Sequence, residues 1–192
     1  TNTFADKHNL DVLVGWDVDD RKEQYVQAVG ANYPHDKLPE LENTSEPMTA
    51  ASGYKEDHLL SLLSRINYDY DNKYYVSANY RRDGSSRLGA NKRWGNFWSV
   101  SGAWRLSQEA FMKDLTYVDD LKLRVSYGIN GTLPSKFYSH LSLFGCGYNY
   151  QDQPGSAPTT IPNPDLGWEK NENFNIGFDA RLFGRLSVAF DF

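Results

Sequence analysis

Between Tyr74 and Leu106 the chain reads YYVSANYRRDGSSRLGANKRWGNFWSVSGAWRL, two runs of strict alternation either side of a polar, glycine-containing loop. In the first run Tyr74, Val76, Ala78 and Tyr80 fall on one face, and Tyr75, Ser77, Asn79 and Arg81 on the other. A period of two belongs to a strand, whose successive side chains point to opposite sides of a sheet. The second run repeats the pattern: Trp98, Val100, Gly102, Trp104 and Leu106 on one face, Phe97, Ser99, Ser101, Ala103 and Arg105 on the other. A helical period would scatter both sets around a cylinder, so the stretch predicts two strands, each apolar on one face.

The same signal recurs along the chain. Leu10, Val12, Val14, Trp16 and Val18 alternate with Asn9, Asp11, Gly15 and Asp17, with Leu13 as the exception. Leu60, Leu62, Ile66, Tyr68 and Tyr70 oppose Arg65, Asn67 and Asp69, and a tight turn at Asp71, Asn72 and Lys73 feeds the strand at Tyr74. The run from Leu121 to Ile129 sets Leu121, Leu123, Val125, Tyr127 and Ile129 against Lys122, Arg124, Ser126 and Gly128. After Trp168, Phe174, Ile176, Phe178, Ala180 and Leu182 alternate with Asn173, Asn175, Gly177, Asp179 and Arg181. A turn at Gly184 then leads to a last strand through Leu186, Val188, Phe190 and Phe192. Three long loops are expected between strands, near 19–56, 82–96 and 130–167, the first with room for a short strand around Tyr25 to Val29. The last leaves room for local pairing from Phe137 to Phe144. Shorter connections are expected near Asp71, over Ser107 to Asp120, where Ser107 could cap a helical turn, and near Gly184.

About seven long strands joined alternately by long and short connections describe an up-and-down antiparallel sheet. No run approaches the ~20 consecutive apolar residues of a spanning helix. The mean hydropathy is −0.65, but membrane barrels escape hydropathy tests because lipid-facing and lumen-facing residues alternate along each strand. The 13 Tyr, 10 Phe and 5 Trp fit the aromatic girdles of such barrels. The smallest barrels close with about eight strands, so seven strands point to a segment of a larger one. A soluble β-sandwich also alternates and is the competing architecture, with exposed Trp and Tyr serving carbohydrate binding. The net charge of −5 is carried by scattered residues and gives no reason to expect nucleic acid. The opening TNTFADKHN lacks a basic segment followed by an apolar core, so no export signal is predicted there.

The string RRDGSSRLG (Arg81 to Gly89) followed by WGNFWSVSGAWRLSQEAFM (Trp94 to Met112) resembles the C-terminal half of the barrel of SusC/RagA-like TonB-dependent outer-membrane transporters. The likeness continues in LKLRVSYGINGT (Leu121 to Thr132) and NPDLGWEKNENFNIGFDARLFGRLS (Asn163 to Ser187), and one departure is Leu88, where the family pattern has Phe. The resemblance implies a fold of about 22 strands around an N-terminal plug, no part of which is expected in this chain. It also implies an outer-membrane location in contact with lipid, a SusD-like surface lipoprotein, energy coupling to TonB through a segment outside this chain, and import of oligosaccharides or peptides. No enzyme activity is expected.

The residues themselves agree on the absence of a catalytic or metal set. Asp165 and Glu169 have no second acid placed opposite for glycoside hydrolysis. His8, His35, His58 and His140 stand apart, and Asp17, Asp19 and Asp20 lack the rest of a calcium loop. Lone Cys146 between two glycines reads as incidental. The polar faces are different in kind: Arg65, Asn67, Asn79, Arg81, Lys122, Arg124, Asn173, Asn175, Asp179 and Arg181 are expected to face a wet lumen or a plug, because charge is costly against lipid. Tyr148, Tyr150 and Trp168 are candidates for stacking on a ligand at the loops.

Overall fold

The computed structural model describes residues 2–4 and 7–192. A three-residue edge strand, β1 (Asn2–Phe4), pairs with β2 (His8–Ala31), which pairs in turn with β3 (Glu46–Tyr70). The sheet then runs through β4 (Tyr74–Ser85), β5 (Trp94–Arg105) and β6 (Val118–Thr132). A small separate hairpin, β7 (Phe144–Cys146) with β8 (Ser156–Pro158), interrupts the chain before β9 (Glu169–Leu182) and β10 (Leu186–Asp191) complete the main sheet. Every neighbouring pair is antiparallel, and the strand order is the chain order apart from the small hairpin. The seven long strands match the expected up-and-down sheet.

The register aligns the alternations. Val12, Ile66, Ala78, Val100, Tyr127 and Phe174 form one continuous row across six strands, and Leu10, Tyr68, Val76, Gly102, Val125 and Ile176 the next. Nothing among the described residues covers this face: Trp16 is 81 % exposed and Val14 77 %. A sandwich would bury these side chains under a second sheet, so the open sheet rules that alternative out. The buried apolar residues are Leu88 and Phe97, with Asp57, Ser61, Asp83 and Ser85 as buried polar neighbours, all at one end of the sheet.

The connections at that end span 32–45, 86–93 and 133–168; at the other end they span 71–73, 106–117 and 183–185. Asp71 and Asn72 carry the positive φ values, 54° and 53°, that their side chains tolerate in a tight turn. The segment 106–117 forms two 3-10 turns, Leu106–Gln108 and Ala110–Met112, with Arg105 at the first cap. Ser107 is not a cap: its hydroxyl donates to Asp120 Oδ1 at 2.7 Å, beside the two-pronged Arg105 fork on the same carboxylate at 2.8 Å for each bond.

The largest departure from the sequence reading is at 19–56. Instead of a long loop, β2 and β3 stay paired from His8 opposite Tyr70 out to Ala31 opposite Glu46, with one irregularity between Val29 and Gly30. β4 ends opposite Leu59, so the pair continues beyond it as a two-stranded ribbon. With 24 and 25 residues these strands have more than twice the ~9–11 residues that cross a bilayer. The other expected loops shorten: β4 continues to Ser85, β5 starts at Trp94, and 130–167 gains the β7–β8 hairpin, while Phe137 to Phe144 forms turns that end in β7.

Candidate functional site

The side of the sheet opposite the apolar rows carries nearly all the polar groups. Asp11, Asn67, Ser77, Ser101, Ser126 and Asn175 make one row, and Leu13, Arg65, Asn79, Ser99, Gly128 and Asn173 another. Neighbouring side chains satisfy one another across the strands. Arg65 Nε donates to Asn79 Oδ1 at 2.8 Å, Asn79 Nδ2 to Ser99 Oγ at 3.2 Å, and Ser77 Oγ to Asn67 Oδ1 at 2.6 Å. Arg124 bridges Asp179 at 2.9 Å and Asp191 at 3.1 Å, and Lys122 lies 4.7 Å from the Tyr75 ring centroid. Arg181 is exposed, opposite Asp120 in the ladder. All ten polar residues singled out in the sequence therefore share one face. A groove of about 550 Å³ along it is lined by Asp11, Asn67, Ser77, Ser101, Lys122 and Arg124 among others. The exposed ion pairs contribute little stability, ~0–1 kcal/mol each; their consequence is a wettable surface.

The apolar face has definite limits. On β2 the outward residues are apolar from Leu10 to Val18, then change to Asp20, Lys22 and Gln24; on β3 the change comes between Leu60 and His58. From Leu10 to Val18 is roughly 27 Å along the strand, or about 20 Å of height at a tilt of ~40°. The row below adds His8, Tyr70, Tyr74 and Trp104, with Tyr70 and Tyr74 stacked at 6.3 Å and Tyr74 and Trp104 at 6.2 Å. Glu109, in the adjoining turn, accepts from the Tyr74 hydroxyl at 2.6 Å and the Trp104 indole at 3.2 Å. An apolar band edged by aromatic rings with anchored polar tips is the outer surface of a barrel in lipid, where the band is ~25 Å tall.

At the far rim the loops are knotted to the sheet. Arg81 Nε donates to Asp83 at 2.7 Å and its Nη2 to Ser61 at 3.0 Å. Arg87 donates to Asp57 at 3.0 Å and lies 3.9 Å from the Phe137 ring centroid, while His140 Nδ1 is 3.1 Å from Arg87 O. The backbone N–H of Gly89 donates to Leu166 O at 2.9 Å, and a Cβ at Gly89 would stand 2.1 Å from Pro164 O, so no other residue fits there. The Arg81–Gly89 motif is thus the seam between the strands and the 133–168 loop, and Leu88, fully buried, is its plug of apolar bulk. Asp57, Arg87 and Phe137 are not visible as partners from sequence spacing, because they lie on three separate segments and obey no local period.

Trp168 belongs to this seam. Its Nε1 donates to Arg93 O at 3.1 Å and its ring meets Phe97 edge-on at 5.2 Å, so the indole packs within the seam. Tyr148 and Tyr150 lie between β7 and β8 and are 58 % and 75 % exposed. Asp165 accepts from Asn91 Nδ2 at 3.0 Å within the same seam.

Comparison with known proteins gives the arrangement its context. The chain is 38 % identical over 192 residues to TonB-dependent receptor P39 of Formosa agariphila, covering 98 % of this chain and 18 % of that protein. It is 34 % identical over 142 residues to TonB-dependent receptor SusC of Bacteroides thetaiotaomicron, covering 69 % of this chain and 14 % of the relative. Among solved structures, one described as the RagAB peptide transporter superposes with a TM-score of 0.88 at 32 % identity, over 100 % of this chain and 22 % of the other. The chain therefore spans about a fifth of the length of such relatives. The family described as TonB dependent receptor-like, beta-barrel matches residues 1–192, and the chain belongs to that family of outer-membrane receptors.

Proposed function

We propose that this chain is a wall segment of an outer-membrane transporter that imports oligosaccharides or peptides, with a SusD-like lipoprotein over its mouth and TonB driving the step from the inner side. The carrying observation is the division of one sheet into a continuous apolar face and a continuous face of mutually satisfied polar groups. Lipid accepts only the first, so the second faces the lumen, where it meets the plug and the hydrated path. The likeness to SusC and to the RagAB transporter supports the substrate class and the lipoprotein partner. Tyr148 and Tyr150 then stand at the mouth, where they contact substrate or lid. No residue of the segment performs chemistry on the cargo; the wall supplies a wet surface and a fixed frame.

Cysteine labelling of the full-length protein in outer membranes tests the assignment of the faces, in a background where Cys146→Ser removes the exposed native thiol. A water-soluble maleimide should modify the Ser101→Cys variant and spare the adjacent Val100→Cys variant, which a lipid-phase maleimide should modify instead. Equal aqueous labelling at both would sink the wall reading. Uptake of labelled oligosaccharides and peptides by cells with and without the intact gene then identifies the cargo, and an uncoupler should abolish it.

A further inference from the structure

Arg82 is the one charged residue at the outward positions of β4 and β5, which otherwise carry Tyr74, Val76, Ala78, Tyr80, Trp98 and Val100 among their side chains. It sits where the outward face of β4 stops being apolar, opposite Leu62 on one side and Asn96 on the other. Its guanidinium carbon is 5.2 Å from the centroid of the Trp94 ring. That ring lies across β4 above Gly84, where a Cβ would come within 2.8 Å of its atoms, so the glycine is what lets the indole reach over the strand. Asn96, the register partner of Arg82, accepts from the Tyr80 hydroxyl on its Oδ1 at 2.8 Å, which leaves its amide N–H groups as the donor side. Among the described residues no carboxylate pairs with Arg82. The outward acids are engaged elsewhere, Asp20 and Glu56 with His58 and Glu172 with the Tyr127 hydroxyl.

We infer that Arg82, Trp94 and Asn96 form a docking site for the phosphate headgroup of an anionic lipid in the leaflet on the long-loop side. A guanidinium is always charged and presents a fork of donors that fits phosphate oxygens. Outward charge is expensive at the middle of the bilayer and cheap near its surface, and Arg82 stands at the boundary row, where its stem crosses apolar surface and its head reaches the headgroups. The Trp94 indole marks the same level, as interfacial tryptophans do, and restrains the head so that little freedom is lost on binding. A lipid phosphate supplies the counter-charge that the protein does not, and its acyl chains continue down the rows of Tyr80, Trp98 and Val100.

The inference rests on the apolar face meeting lipid, and the test separates the two. The full-length transporter is placed in nanodiscs of phosphatidylcholine with and without phosphatidic acid, then released for native mass spectrometry. The wild type should retain phosphatidic acid at least several-fold more than Arg82→Gln, Arg82→Lys should fall between them because it keeps charge without the fork, and Lys113→Gln, in the turn at the opposite end, should match the wild type. Heat-modifiable gel mobility reports that each variant is a folded barrel, and Arg82→Lys reads the site should Arg82→Gln fail to fold. Equal retention by wild type and either Arg82 variant overturns the site while leaving the membrane assignment intact. Inorganic phosphate that displaces the lipid at matched concentration also overturns it in favour of a soluble anion. A wild type that does not enter nanodiscs overturns both readings.

Discussion

Arg87 shows how much of the loop architecture hangs on single side chains. Its guanidinium is nearly buried, pairs with the nearly buried Asp57, and stacks on Phe137 from the 133–168 loop. Arg87 Nε bonds Asp57 Oδ2, and Asp57 Oδ1 is buried with no hydrogen-bond partner among the described residues. Removing Arg87 leaves that carboxylate uncompensated in a low-dielectric seam, a loss of ~3–5 kcal/mol for a buried pair broken on one side. Arg87→Ala is therefore expected to free the 133–168 loop for proteolysis while the barrel keeps its heat-modifiable mobility, and Arg87→Lys should restore little because it lacks the fork and the flat stacking surface. Limited proteolysis with mass mapping reads the outcome; an uncut loop in Arg87→Ala would show that the pair is dispensable. The alternation put Arg81 at the end of a strand's polar face, where its side chain reaches Asp83 and Ser61. It was silent on Arg87 with Asp57, because a contact between residues far apart in the chain leaves no periodic trace.

The β2–β3 ribbon explains what alternation can and cannot reveal. Inside the bilayer the two faces of a strand meet lipid and water, and selection separates Val12, Val14 and Trp16 from Asn9 and Asp11. Beyond Val18 and Leu60 both faces are wet, so Asp19–Ala31 and Glu46–Leu59 pair through their backbones with no chemical contrast between their sides. Pro47, without an N–H to donate, falls beside the irregularity at Val29 and Gly30, as proline at a bulge does. Side chains still tie the ribbon. His58 Nδ1 is 2.6 Å from Asp20 and its Nε2 3.0 Å from Glu56, and the Glu56 backbone N–H donates to the Tyr138 hydroxyl at 2.8 Å. The hydrogen bonds from Asp20 and then Glu56 raise the His58 pKa above the ordinary 6.5. The Tyr54 and His58 hydrogen bonds, with Lys22 nearby, hold Glu56 below the ordinary 4.5. A raised histidine contributes fully below its unfolded pKa and loses its contribution as pH rises through the folded value. A lowered glutamate contributes above its unfolded pKa and loses it as pH falls through the folded value. The two contributions coincide between 4.5 and 6.5. Hydrogen exchange of the 46–58 amides, corrected for intrinsic rate, should show greatest protection in that window and weaker protection at alkaline pH. His58→Gln should flatten the alkaline limb, and a wild-type profile already flat there would remove His58 from the account.

At the scale of the molecule the sheet is open, with β1 and β10 at its margins. Because both faces have a solvent of their own, stability comes from matching each face to its medium more than from a packed interior. Val125→Lys on the apolar face should therefore cost ~2–4 kcal/mol, as for a cation near the bilayer midplane, while Ser126→Lys on the polar face should cost far less. Denaturant unfolding of the full-length protein from lipid vesicles measures the difference, and equal losses would contradict the division of faces. The knot at the rim also bears on how such a wall is made. The turns at 71–73 and 183–185 are small, whereas the other end carries the ribbon, the β7–β8 hairpin and a seam closed by Arg87, Asp57 and Trp168. Unfolded, those long segments can be threaded one hairpin at a time; once closed, they form a polar mass too broad to withdraw past a hydrocarbon layer. Assembly is then a one-way passage, and the same contacts that order the mouth act as the ratchet that fixes the protein's orientation for its lifetime.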